Sequence, residues 1–307
     1  MSTVVVAGEV NVDLILTGID TMPVPGTEML ARGALQVPGS SSLICALGLA
    51  RLGNTVRFIG RVGDDERGRF CIDVMREAGL DTAGIVTDAA HATGLTVALS
   101  GASDRALVTY PGAIAELRGS DVGDAALRGA AHLHVSSYYL QSKLQADLPT
   151  LVRRARAAGL SVSLDPGFDP GRGWGAGLRE LLPLVDVFLP NAVEARGLAG
   201  TDDVDAALRI LSALGPTVVV KHGREGCLAL HGGDVLRVPA YAVAAVDTTG
   251  AGDNFNAGFL HAWLERQPLD ACLRWAAACG ALSTRALGGT TAQASAADAA
   301  ALVGRGA

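Results

Sequence analysis

The run Val246-Asp247-Thr248-Thr249-Gly250-Ala251-Gly252-Asp253-Asn254-Phe255-Asn256-Ala257-Gly258-Phe259-Leu260 decides how the rest of the chain is read. It predicts a tight loop feeding a helix. Gly250 and Gly252 permit backbone angles and close approaches that a Cβ resists. Beyond Asp253, the residues Phe255, Gly258, Phe259 and Ala262 fall on one helical face. A helix starting here aims free N–H groups and the positive end of its dipole back at the loop. Such a mouth is an anion site, suited to a phosphoryl group in transfer. Asp253 stands in the same mouth, where a carboxylate repels phosphate. Its presence there points to a second task, taking a proton from a hydroxyl that attacks the phosphate. The short G-x-G-D pattern alone is better met by a glycine loop with Asp253 as helix cap, and only the longer run tips the reading.

The rest of the chain supplies the frame for this loop. Its 307 residues suffice for one large α/β domain, or for a domain with a small appendage. Hydrophobic residues make up 49% and aromatics only 4%, so the core is built mostly from Ala, Leu and Val. The formal net charge is -6 and no Lys/Arg run is clustered, which argues against nucleic acid as a partner. Five scattered cysteines without a C-x-x-C pair fit buried thiols in a reducing compartment. No basic region precedes Val4-Val5-Val6, so no signal peptide is expected, and no apolar run is long enough to span a bilayer. The expected location is the cytoplasm.

Thr3 to Ala7, Ala131 to Val135, Ser161 to Leu164, Val185 to Leu189 and Thr217 to Val220 read as strands. Ala/Leu/Arg-rich helical segments lie between them, such as Leu148 to Ala158 and Val204 to Ala213, and Leu43 to Leu52 reads as a further helix with Ser41 or Ser42 as its N-cap. Thr93 to Tyr110 alternates around a Gly101-Ala102-Ser103-Asp104 turn and reads as a hairpin. The succession of strand and helix predicts a mostly parallel sheet with helices on both faces. Ligands in such sheets bind beyond the carboxyl ends of the strands. Ser136 and Ser137, Asp165-Pro166-Gly167, Asn191 with Glu194, and Lys221 all occupy such positions. Asn191 and Glu194 share a helix face, and near phosphates they suit a hydrated Mg²⁺. The same pair also fits a capping box. His132-x-His134 sits in an apolar strand and is read as packing or surface, with no catalytic role.

The whole run D-T-T-G-A-G-D-x-F-x-A-G-F resembles the C-terminal signature of the PfkB/ribokinase family of carbohydrate kinases. Leu49-Ala50-Arg51-Leu52-Gly53, Phe58-Ile59-Gly60-Arg61-Val62-Gly63-Asp64-Asp65 with Gly68, and Asn191-x-x-Glu194 are similar to other family motifs. The resemblance implies a ribokinase-like three-layer α/β/α fold with a small β-sheet lid. Residues 1–12, 38–92 and 112–307 would form the nucleotide-binding body, and 13–37 with 93–111 the lid over the sugar. It also implies ATP-dependent phosphorylation of a sugar hydroxyl. Asp253 would be the base, and Gly250, Ala251 and Gly252 the anion hole. ATP would meet Asn191, Lys221, Gly223, Gly226, Thr248, Gly250 and Gly252, with Ala276 and Cys279 bordering the adenine. Glu194 and Asn191 would hold Mg²⁺ through water. Relatives that need K⁺ place it near Asp247, Thr249 and the 285–289 loop.

For the sugar, the resemblance points to Asp13, Gly39, Ser40, Ser41, Ser137 and Asp253, with Arg105 and Arg32 on the lid as the cations able to meet an anionic substituent. The family usually reads G-G-x-x-x-N before its first long helix. Here Ser40 replaces the second Gly and Ile44 stands at the Asn, so a hydroxyl contact there is lost or moved to Ser40, Ser41 or Ser42. Exposed lid edges can pair between subunits, which makes a homodimer an expectation. A non-catalytic sugar- or nucleotide-binding protein is the alternative. A dinucleotide oxidoreductase is disfavoured, because Gly8-Glu9-Val10-Asn11 replaces the glycine fingerprint after the first strand.

Overall fold

The computed structural model describes residues 2–19, 21–101, 105–175 and 177–305, with the Arg105 side chain excepted. Part of the predicted Gly101–Asp104 turn, and the Arg105 side chain assigned to the sugar, therefore lie outside the described residues. The strands are β1 (Thr3–Ala7), β2 (Asn11–Thr17), β3 (Gly33–Gly39), β4 (Thr55–Gly63), β5 (Asp81–Asp88), β6 (Gly94–Ser100) and β7 (Arg105–Tyr110). They continue as β8 (His132–Val135), β9 (Ser161–Leu164), β10 (Val187–Phe188), β11 (Thr217–Lys221), β12 (Cys227–His231) and β13 (Asp234–Val238).

Nine of them form one sheet in the order β13-β12-β11-β10-β9-β8-β1-β4-β5. From β11 to β5 all pairings are parallel, and β12 and β13 add an antiparallel edge. The period of two along β1 divides the core. Val4 and Val6 join the cluster that includes Leu43, Leu49, Phe255, Phe259 and Leu273. Val5 and Ala7 join the opposite cluster with Leu148, Leu151, Leu198 and Leu208. Helices Ser41–Arg51, Ala251–Leu264 and Leu269–Ser283 thus cover one face, and Ser142–Ala157, Ala192–Ala199 and Val204–Ser212 the other. The result is a three-layer α/β/α body.

The remaining strands form a separate sheet, β3-β2-β6-β7, in which β2 and β6 run parallel. Ile15, Val37 and Ala98 make its small apolar face. That face sits over the Gly288 backbone, where an added Cβ would lie 2.9 Å from Val37 Cγ2. The lid is therefore seated on the loop beside the Gly250 mouth.

Two expectations are corrected. The strand expected over Val185–Leu189 shrinks to Val187–Phe188, because a 3-10 turn (Leu182–Leu184) precedes it and Pro190 follows. The cap of the Ser41–Arg51 helix is Ser40, rather than Ser41 or Ser42. Ser40 adopts φ 72 and its side chain accepts the Leu43 N–H.

Candidate active site

Gly250 adopts φ 70 and starts the Ala251–Leu264 helix. A Cβ on it would meet Gly289 Cα at 2.6 Å and two Ile44 carbons at 3.2 Å, so only glycine fits. Asn254 ties the two loops by donating to the carbonyls of Gly250 (2.9 Å) and Gly289 (2.8 Å). Gln293 completes the tie, bonding Asn254 Oδ1 and the Ile44 carbonyl, each at 2.8 Å. Asp247 closes the loop from the other side. Its Oδ1 accepts from Thr249, and its Oδ2 from the Gly288 N–H at 2.8 Å. Within the mouth, the Ala251 N–H reaches the Thr248 carbonyl at 3.2 Å.

Asp253 lies in the first turn of this helix, with Ser41 as a hydrogen-bond partner. Burial, and then the charge of Asp165, push its carboxyl up to about 7, while Lys221 pulls the other way. The Lys221 side chain runs over Gly252, 3.6 Å from the position a Cβ there would take. Its ammonium donates to Asp165 Oδ2 at 2.6 Å and approaches Asn256 Oδ1 at 3.4 Å. Asn256 donates to the same Asp165 oxygen at 2.5 Å. Lysine 221 and its carboxylate Asp165 are thus fixed as a pair, with the Asp165 carboxyl held below its ordinary value by Lys221 despite burial.

Asn191 and Glu194 form the capping box. Glu194 N–H donates to Asn191 Oδ1, and Glu194 accepts from Asn191 N–H (2.8 Å) and Nδ2 (2.6 Å). Burial raises the Glu194 carboxyl to about 7, with Asp165 adding to the shift. A bridge between Asn191 and Lys221 brings this helix start beside the Lys221 strand end. Among the described residues no cluster of three His, Cys, Asp or Glu side chains could cage a metal ion.

On the sugar side, Asp13 lies against Gly39, where a Cβ would fall 2.0 Å from Oδ1. Asn11 donates to Asp13 and to Thr96. Ser40 and Ser137 both hold positive φ, 72 and 52, a strained pair where sugar contacts were expected. Gly167, φ 65, permits the close approach of Ser137, whose Cα would be 2.9 Å from an added Cβ.

The other singled-out positions are set by packing. Ala276 and Cys279 are buried in the helix pair, with Cys279 against Gly258. Gly226 is pinned beneath Val238, while Gly223 is exposed on its turn. Ile44 is buried at 2% exposure between Gly250 and Gly289.

Sequence reasoning missed three groups. Glu9, buried at the end of β1, accepts from Ser42 N–H (3.2 Å) and Ser42 Oγ (2.6 Å), and its charge reaches Asp253. Asn256 anchors Asp165 from 91 residues away. A ladder of polar side chains crosses β8 and β9, where register pairs His132 with Ser161 and His134 with Ser163. Ser161–His132, His132–Ser163 and Ser163–His134 contacts are each 2.7 Å, and His134–Ser136 is 2.9 Å. The i, i+2 spacing of His132/His134 and of Ser161/Ser163 was the available signal.

Comparison with known proteins places the chain in a family. The pfkB family carbohydrate kinase profile matches residues 1–296. A Klebsiella pneumoniae fructokinase is 34% identical over 276 residues, 84% of this chain and 89% of that protein. The ATP-dependent ribose-1-phosphate kinase of Halopiger xanaduensis is 32% identical over 292 residues, 92% of each chain. An E. coli protein solved in complex with ATP and Mg²⁺ superposes with TM-score 0.87 at 25% identity, covering 99% of this chain and 100% of that one. The chain belongs to the pfkB family of carbohydrate kinases.

Proposed function

We propose that this sugar kinase transfers the γ-phosphoryl group of ATP to a sugar hydroxyl, with Asp253 as the base. The observation that carries the reading is the placement of Asp253. It is a carboxyl raised to about 7 inside a helix mouth that favours anions, flanked by the Lys221 ammonium. Asp253 takes the hydroxyl proton, and the oxygen attacks the γ-phosphorus. The bond to the β-phosphate oxygen breaks, and ADP leaves. N–H groups of the Gly250–Gly252 turn stabilise the charge that builds on the transferred group. Lys221, held by Asp165 and Asn256, adds a fixed positive charge beside Gly252.

Asp13, Gly39, Ser40, Ser41 and Ser137 orient the sugar. The β3-β2-β6-β7 sheet covers it and excludes water. Glu194 and Asn191 would hold Mg²⁺ through its waters, and the ion would neutralise phosphate charge when bound. Asp247 and Thr249, with the 285–289 loop, are the candidate place for K⁺.

The test is ADP release with Mg·ATP, with and without K⁺, against sugars, sugar acids, sugar phosphates and nucleosides. Sugar-dependent release that falls by about three orders of magnitude or more in Asp253→Asn, with ATP affinity kept, is the expected result. Turnover surviving in Asp253→Asn removes Asp253 as the base.

A further inference from the structure

Asp253 is one of two carboxylates that converge on a single helix start. The Ser41–Arg51 helix presents the N–H groups of its first turn, and both acids reach that turn through neighbouring serines. Asp253 has Ser41 as its hydrogen-bond partner. Glu9 has Ser42, with Oε1 3.2 Å from the backbone nitrogen and Oε2 2.6 Å from the hydroxyl oxygen. Glycine at position 8 permits this approach, since a Cβ there would lie 1.9 Å from Ser42 Oγ. The main chain of Glu9 holds the same turn. Its carbonyl accepts from the Ser40 hydroxyl at 2.7 Å, and the Leu43 N–H donates to that hydroxyl at 3.1 Å. Ser40 sits at φ 72, a strained angle for a serine, and these two bonds hold it there.

The charges around Asp253 come from several elements. Glu9 follows β1, Asp165 follows β9 and Lys221 ends β11, while Glu194 lies in the first turn of the Ala192–Ala199 helix. Asp165 and Glu9 disfavour the ionised form of Asp253, Lys221 favours it, and Glu194 feels the Asp253 charge in return. Cys45, one turn further along the Ser41–Arg51 helix, is wholly buried. Burial, then the charges of Asp253 and Asp165, push its thiol well up, so it adds no charge of its own. A lysine set beside a general base has a side effect. It stabilises the carboxylate and so weakens it as a base. Asp165 offsets part of this by pairing with the ammonium. Glu9 acts from the helix side, and among the described residues no cation pairs with it.

We propose that Glu9 is a positioning residue for phosphoryl transfer, setting the turn that carries Ser41 against Asp253 and keeping Asp253 basic in the presence of Lys221. The inference rests on the kinase reading with Asp253 as base. Glu9 acts through Ser42 and through its charge, and transfers no proton itself. A base poised near the working pH combines an ionised fraction with the drive to take the hydroxyl proton. Glu9 and Lys221 pull that balance in opposite directions.

The test is the titration of Asp253 in Glu9→Gln, which keeps the shape of the side chain and removes its charge. The infrared carboxyl band that distinguishes the parent from Asp253→Asn reads this titration without substrate. In Glu9→Gln its midpoint should fall by about half a pH unit or more, the reverse of Lys221→Met. The acid limb of kcat/KM should move with it, while the plateau drops because a weaker base drives the transfer less. Glu9→Asp keeps the charge on a shorter arm, and its midpoint should lie nearer the parent than that of Glu9→Gln. If melting curves show Glu9→Gln unfolded, Glu9→Ala combined with Ser42→Ala removes both partners together and is read in the same way. An unmoved midpoint in a folded variant without the charge overturns the proposal. A midpoint moved as far by Glu9→Asp as by Glu9→Gln also overturns it, because packing rather than charge would then be the cause. ADP release against the sugar panel is measured separately. Silence there defeats the kinase reading, and with it the role in transfer, while the link between Glu9 and Asp253 stands on the infrared titration.

Discussion

Ile44 stands where relatives are expected to carry a sugar-binding Asn, yet its side chain is buried between two backbone loops. Its Cδ1 lies 2.6 Å from the position a Cβ on Gly289 would take and 3.2 Å from that on Gly250. We therefore expect Ile44→Asn to act on stability before recognition. Removing a buried Ile side chain costs about 2–5 kcal/mol by lost transfer and cavity, and the amide in an apolar slot adds about 1–3 kcal/mol. Ile44→Val, which removes only the methyl nearest Gly289, should cost about 0.5–1.5 kcal/mol. At about 2 °C per kcal/mol for a chain of this size, Ile44→Val should melt about 1–3 °C lower and Ile44→Asn about 6 °C lower or more. Differential scanning calorimetry measures both, and sugar KM is followed alongside. The reasoning is refuted if Ile44→Asn melts within about 1 °C of the parent and also lowers the sugar KM. That result would mean that position 44 faces the sugar.

Two other perturbations address the loop and its charges. Gly250→Ala combines a left-handed backbone cost of about 1–2 kcal/mol with a clash against Gly289 Cα, so melting temperature and turnover should both fall. Parent-like values for both would show that the loop tolerates a Cβ. Asp253 must be ionised to act, so kcat/KM should rise with pH through about 7 and level off above it. Lys221→Met removes the charge that lowers this value and should move the limb to higher pH, each unit costing tenfold at a fixed acid pH. An unmoved limb in a pH–rate profile would detach Lys221 from Asp253. The sign for stability is opposite to the usual carboxylate. The folded value lies above the unfolded one, so ionising Asp253 withdraws stability as pH rises from about 4 to about 7.

The loop from Asp247 to Leu260, the parallel core strands and the lid were legible because each is encoded locally, by glycine spacing or by period-two and period-3.6 patterns. The Asp165–Lys221–Asn256 cluster was not, because its members come from two strand ends and a helix and meet only in three dimensions. Ser40 was misread because a serine at φ 72 carries no local signature. The direction of Ile44 was equally hidden, since an apolar residue at a polar family position says nothing about which neighbour it packs against. The β12–β13 edge went unread although Gly232-Gly233 between two apolar-alternating runs is a hairpin signal. Glu194 showed the limit of a motif. Its spacing from Asn191 fitted both a cap and a hydrated ion, and the cap is what the side chains make.

The His–Ser ladder also constrains how this sheet can change by descent. Loss of any inner rung strands two buried polar partners at once, a single step that costs about 1–3 kcal/mol for each group left unpaired. Exchange of all rungs for aliphatic side chains strands none. Intermediate sequences are therefore the least fit, and the strands are expected to keep the set or lose it as a block. A lineage that has crossed to an aliphatic version will also have released the Ser136 hydroxyl from its histidine partner.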